Sequence, residues 1–114
     1  EKTNYSNAVE WQTQNIDAQE FKAWAQLDTC AVVDVREIYE TPTIVAKKLF
    51  RMPMSTKTGA TSWEELQNFE KILVLCQSGK RSVQAIEQLK KHIPEYKLFN
   101  LKGGVQHIDF NDEN

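Results

Sequence analysis

Bulky apolar side chains fall in short blocks along the 114 residues, and the blocks follow two patterns. "AVVDV" (31–35) and "ILVLC" (72–76) are continuous runs, mostly β-branched or Leu, with no clean alternation between apolar and polar positions. Strands covered on both faces, as in a parallel sheet, read this way. "KLFRMP" (48–53) and "YKLFN" (96–100) are weaker candidates for further strands. The other blocks have helical spacing. In "DAQEFKAWAQ" (17–26), Asp17 and Glu20 stand in capping-box relation, with Phe21, Trp24 and Ala25 along one face behind them. "TSWEELQNF" (61–69) repeats the device with Ser62 and Glu65, followed by Trp63, Leu66 and Phe69 on a face.

A longer helix is predicted over "RSVQAIEQLKKHIPE" (81–95). Val83, Ile86, Leu89 and Ile93 make its apolar stripe, and Glu87 can pair with Lys91 one turn on. Lys90, Lys91 and His92 suit the negative end of its dipole, and Pro94 stops it. A last short helix is expected at "VQHIDF" (105–110), after "KGG". Strand and helix alternate, so the expected fold is an α/β domain with a central, mainly parallel sheet and right-handed crossovers. Residues 1–10 read as a polar arm or linker and 11–114 as a single domain.

Composition narrows the function classes. Hydrophobic residues make up 40% and charged residues 26%, ordinary values for a globular domain. The formal net charge of −2 and the lack of a long basic run set nucleic acid aside as a partner. No apolar run approaches the roughly 18 residues that span a bilayer, so no membrane role is expected. The chain begins at Glu1 rather than Met and reads as a fragment, an excised domain or a processed form. Cys30 and Cys76 are the two cysteines, and His92 and His107 the two histidines. Their spacings fit neither a disulfide framework nor a zinc site, so the expectation is two independent thiols in the cytoplasm and no metal.

Candidate chemistry centres on "ILVLCQSGKRSVQAIEQL" (72–89). In open parallel sheets, ligands bind beyond the carboxyl ends of the strands, and Cys76 is placed at such an end. Gly79 allows the loop to turn sharply, and a helix beginning at about Arg81 or Ser82 would point its first N–H groups back into the loop. A loop curled around its own N–H groups is a nest for an anion, and the thiolate of Cys76 is the anion at hand. Lys80 and Arg81 add positive charge at the rim. The bland alternative, a small buried hydrophobe ending a strand, explains neither the glycine nor the basic residues. Cys30, in "LDTC", has no such loop and reads as structural.

"CQSGKRS" (76–82) resembles the active-site loop of rhodanese-like sulfurtransferases, commonly Cys-x-x-Gly-x-Arg-Ser. "VVDVRE" (32–37) resembles that family's Asp-Val-Arg strand end, and "NLKGGV" (100–105) its Asn-Leu-x-Gly-Gly segment. The resemblance implies a three-layer α/β/α domain whose cysteine accepts a sulfane sulfur as a covalent persulfide, with no separate cofactor. Carried over, Cys76 is the nucleophile, and the main chain of Gln77, Ser78, Gly79, Lys80, Arg81 and Ser82 cradles it. Lys80 and Arg81 would attract an anionic donor such as thiosulfate, or position a protein persulfide of the cysteine-desulfurase type. Arg36 has two readings, a supporting role beside the loop or a surface ion pair with Glu40. Asp34 is expected to tie backbone groups at its strand end, and Gly103 and Gly104 to form a structural turn.

The family's Gly-His-Ile-x-Gly-Ala segment is missing. "ETPTIVAKKLFRMPMS" (40–55) stands in its place, a looser form found in rhodanese domains behind adenylating enzymes of molybdopterin and thiamin biosynthesis. That likeness implies a small sulfur-carrier protein as partner. Rival readings are a binding or regulatory module without turnover, and a phosphatase or arsenate reductase of the same fold. The last needs one more residue between cysteine and arginine than the four in "QSGK". A thiol–disulfide oxidoreductase lacks its second cysteine, and a cysteine protease its placed histidine.

Overall fold

The computed structural model describes residues 13–53 and 63–108. Among the described residues five strands, β1 (Gln14–Ile16), β2 (Cys30–Asp34), β3 (Leu49–Arg51), β4 (Lys71–Leu75) and β5 (Leu98–Leu101), form one sheet in the order β1-β5-β4-β2-β3. Every pairing is parallel. Three α-helices connect them among the described residues: α1 (Ala18–Trp24), α2 (Trp63–Leu66) and α3 (Lys80–Leu89). The sheet is thus wholly parallel, and β4, the strand that leads to Cys76, lies at its centre.

The unbroken apolar runs of β2 and β4 have the expected cause, since both faces of the sheet are covered. Ala31, Val33, Ile72, Val74 and Leu98 pack on one side with Leu66 of α2 and Ile86 and Leu89 of α3. Val32, Leu73, Leu75 and Leu101 pack on the other with Phe21 and Ala25 of the α1 segment. These are the three layers. Side chains alternate along β4, so Cys76 falls on the α3 side with Ile72 and Val74. Along β5 the same alternation puts Asn100 on that side with Leu98.

Local signals hold at the start of α1. Asp17 accepts from the Glu20 N–H at 2.8 Å, and Glu20 returns the bond to the Asp17 N–H at 3.2 Å, completing the capping box. Ser62, the other expected cap, lies outside the described residues. Several boundaries differ from the periodicity. The helix after Cys76 begins at Lys80, with Gly79 as its cap, and ends at Leu89 instead of running to 95. Glu87 pairs with Lys90 at 3.1 Å, while Lys91 turns to Gln88. Residues 95–97 wind into a 3₁₀ turn, so β5 starts at Leu98. Val105–His107 is likewise a 3₁₀ turn, and residues 109–110 of the expected last helix lie outside the described residues.

One strand carries no sequence signal. In β1, "QNI" buries only Ile16 and owes its conformation to pairing with β5, Gln14 opposite Phe99 and Asn15 opposite Asn100. Three residues with one apolar side chain are too short a pattern to read. No helix among the described residues is long and apolar enough to cross a membrane.

Candidate active site

Cys76 follows directly on β4 at the carboxyl edge of the sheet and is buried at 0% exposure. Gln77 and Gly79 above it are half-buried, and Ser78 and Lys80 are exposed. The loop therefore has a solvent-facing outer side with the sulfur beneath it. Gly79 adopts φ +100°, and this left-handed turn aims its N–H at the Cys76 sulfur, 3.0 Å away. The N–H groups of Ser78 and Ser82 also favour the thiolate form of that sulfur. Burial is the strongest single influence on the thiol and opposes ionisation. The Ser82 side chain and the N–H groups of Ser82, Gly79 and Ser78 together outweigh it, and Cys76 ionises below the usual thiol range. Cys30 is the contrast, because burial pushes its thiol up.

The loop is held from below by the turn after β5. The Val105 N–H donates to the Cys76 carbonyl at 3.0 Å, and the Gln106 N–H to that of Gln77 at 3.2 Å. Gly104, at φ +72°, comes so close that a β-carbon there would lie 2.2 Å from the Gln77 oxygen. Gly104 is more than a flexible turn residue. It is a contact surface for the cysteine loop, and no side chain fits between the two backbones.

Arg36 proves to be a buried brace. Its guanidinium makes two bonds of 3.0 Å to the Asp34 carboxylate, one of 2.7 Å to the Pro42 carbonyl and one of 3.1 Å to the Gln77 side chain. The surface pair with Glu40 is therefore corrected: the Arg36 side chain is 1% exposed and its carboxylate partner is Asp34. A desolvated guanidinium needs a fixed acceptor at each donor, and the strand end supplies them. Asp34 also accepts the Arg36 N–H, the backbone tie expected of it.

Glu40 belongs instead to Arg81. Two bonds, 2.7 and 2.8 Å, join the guanidinium to the carboxylate as a fork. Glu40 also accepts the Glu37 N–H at 2.9 Å, so it fastens the turn after β2 to the first turn of α3. The Arg81 hydrogen bonds hold its carboxyl down at about 2. Lys80, exposed and without an ion pair among the described residues, is the loop's uncommitted cation. His92 stacks on Trp63, with centroids 4.3 Å apart, beyond the far end of α3 from Cys76.

Sequence reasoning placed the loop at its strand-to-helix junction, named Glu40 only as a partner for Arg36, and assigned no role to Asn100 or Asn15. Asn100 is buried on β5 and accepts from the Ser82 hydroxyl, and its amide donates to Asn15 at 2.8 Å. The Asn of "NLKGGV" was in view as part of a motif, but only the register of β5 against β1 brings Asn15 to it.

Three substitutions test this geometry. Arg36→Met leaves Asp34 buried with only Arg51, at 4.0 Å, as a cation and should cost about 3 kcal/mol in urea unfolding. Gly104→Ala should destabilise by about 1–3 kcal/mol and slow alkylation of Cys76, because the loop must shift away from the new β-carbon. For Glu40, a folded pKa below the ordinary carboxylate value of about 4.3 gives stability that is full above that value and lost as pH falls toward 2. Glu40→Gln should lower Tm by several degrees near neutrality, and its difference from the parent should vanish in melts near pH 2.

Comparison with known proteins gives the family and the fold. The rhodanese-like domain family matches residues 17–109. No curated protein sequence matches the chain. Among solved structures, a rhodanese-related protein of Thermoplasma volcanium is 26% identical, with a TM-score of 0.61 over 82% of this chain and 87% of that one. A protein of Staphylococcus saprophyticus subsp. saprophyticus shares the fold at 21% identity and a TM-score of 0.62, over 85% and 94% of the two chains. An NAD-dependent persulfide reductase of A. fulgidus shares it at 23% identity and a TM-score of 0.58 over 88% of this chain, which spans only 16% of that protein. By its matched span, its parallel sheet and its cysteine loop, this chain belongs to the rhodanese-like domain family.

Proposed function

We propose that the domain is a sulfurtransferase in which Cys76 carries a sulfane sulfur from a donor to a thiophilic acceptor. With thiosulfate as donor, the Cys76 thiolate attacks the outer sulfur, the S–S bond breaks, and sulfite departs with the electron pair. The product is a Cys76 persulfide whose outer sulfur carries the negative charge. An acceptor such as cyanide then takes that sulfur, and the electron pair of the new S–S bond returns to Cys76 as thiolate. No general base is needed when the thiol is already ionised. The covalent persulfide is the only carrier the chemistry requires.

The observation that carries this reading is the Gly79 N–H bonded to the Cys76 sulfur at 3.0 Å, with the N–H groups of Ser78 and Ser82 drawing the same thiol toward its thiolate form. Such a nest stabilises a thiolate and, one bond further out, a persulfide anion. The fork between Glu40 and Arg81 supports it over the phosphatase reading. A phosphatase loop needs its arginine free to grip a tetrahedral oxyanion, and here that guanidinium is held by a carboxylate. Lys80 then becomes the group that draws in an anionic donor. The same neutralisation favours a protein persulfide, of the kind a cysteine desulfurase offers, over a small dianion. The "ETPTIV" and "MPMS" segments support a small sulfur-carrier protein of cofactor biosynthesis as acceptor. The fold shared with part of a persulfide reductase is in keeping with such chemistry. A reducing cytoplasm suits a site that requires a free Cys76, and both thiols are free.

Intact-mass measurement after exposure to thiosulfate or a persulfide donor should show one added sulfur, mapped to Cys76 and absent from Cys76→Ala. Thiocyanate should form from thiosulfate and cyanide, at least about a hundredfold faster than with Cys76→Ala. Neither an adduct nor turnover above the variant would make the domain a binding module. Phosphate release from p-nitrophenyl phosphate, lost in Cys76→Ser, would make it a phosphatase.

A further inference from the structure

A line of polar side chains runs from the edge of the sheet to the sulfur, and its direction is fixed at the far end. The Thr13 carbonyl can only accept, so the amide nitrogen of Asn15 faces it, at 3.3 Å. The Asn15 carbonyl oxygen is then left for Asn100, whose amide nitrogen donates to it at 2.8 Å. The Asn100 oxygen must in turn face Ser82, and it receives the hydroxyl proton. Ser82 has one proton. With that proton committed, its oxygen presents lone pairs to Cys76, 3.5 Å away, and can accept from a thiol. Ser82 is 0% exposed and Asn100 3%, so no bulk water replaces a missing partner.

In this arrangement Ser82 accepts from a thiol, and it supports the thiolate only when its hydroxyl turns from Asn100 to the sulfur. The main-chain nest favours the thiolate, so the two halves of the site pull in opposite directions. We propose that Asn100, oriented by Asn15, is a positioning residue that holds the Ser82 proton off Cys76 while that sulfur is a thiol or the inner atom of a persulfide, and yields it when the sulfur becomes a free thiolate. The part concerning the persulfide rests on the sulfurtransferase reading. The inner sulfur of a persulfide is uncharged and asks for no donor, so the resting wiring matches the loaded state. When the acceptor takes the outer sulfur, the electron pair returns to Cys76 and the Ser82 hydroxyl rotates toward it.

The test is the pH dependence of iodoacetamide alkylation of Cys76, which requires no sulfurtransferase turnover, so its failure is separate from failure of that function. The charged groups facing the loop are Lys80 and Arg81 on α3, Glu37 and Glu40 on the turn after β2, and the Arg36–Asp34 pair at the end of β2 with Arg51 beside it. None is altered in the variants. Asn15→Ala removes an exposed side chain on an edge strand, frees the Asn100 amide to turn its nitrogen toward Ser82, and releases the hydroxyl proton to the sulfur. Asn100→Leu removes the competing acceptor outright. Both should move the alkylation midpoint down, by about half to one pH unit. Ser82→Ala should move it up, and adding Asn15→Ala to Ser82→Ala should then have no effect. An unchanged or raised midpoint in Asn15→Ala, or a shift that persists without Ser82, overturns the proposal. Asn15→Ala alone decides the matter if Asn100→Leu does not fold.

Discussion

A buried sulfur that must carry charge is the constraint around which the rest of the domain is arranged. Cys76 is removed from water at the edge of a central strand, where burial alone would keep it a neutral thiol. What offsets that is main chain: N–H groups at the start of α3 that have no helical partner and find the sulfur instead. Together with the Ser82 side chain these groups tolerate little movement, since an N–H displaced by about an ångström no longer bonds. Everything that touches the loop can therefore be understood as fixing its position.

Three supports meet there from two strand ends. From β2, Arg36 is locked by Asp34 and Pro42 and reaches the Gln77 side chain. From the turn that follows β2, Glu40 grips Arg81 and so sets the first turn of α3. From β5, Gly104 lies against Gln77 while the next two N–H groups bond the loop's carbonyls. A parallel sheet makes this possible because all its strands end at the same edge. The three stretches that resemble the family's motifs are the cysteine loop itself and two of its braces.

The rim differs from what its charges imply on paper. Two adjacent basic residues beside a reactive cysteine read as a single anion trap, yet Arg81 faces a carboxylate and Lys80 faces water. A forked, partly buried pair fixes geometry, whereas a solvated ammonium attracts charge at a distance. The two cations have divided the structural and the electrostatic work. Asn15 and Asn100 add a polar chain that reaches Ser82 beside the sulfur, its sense dictated by one carbonyl oxygen.

By itself the sequence determined the elements whose cause is local. The unbroken runs of β2 and β4, the capping box at Asp17, the left-handed turn at Gly79 and the basic loop at a strand-to-helix junction each follow from neighbours within a few residues. The same holds for Cys76 as the candidate nucleophile. Tertiary structure decided what depends on partners far along the chain. β1 exists because β5 offers it an edge, since "QNI" has no pattern of its own. Arg36 lies between Asp34 and Gln77 instead of reaching Glu40, and Glu40 crosses to Arg81, because folding the turn after β2 over α3 sets distances that sequence spacing cannot supply. The place of Asn100 beneath Ser82 likewise follows from strand register, and register is a property of the assembled sheet.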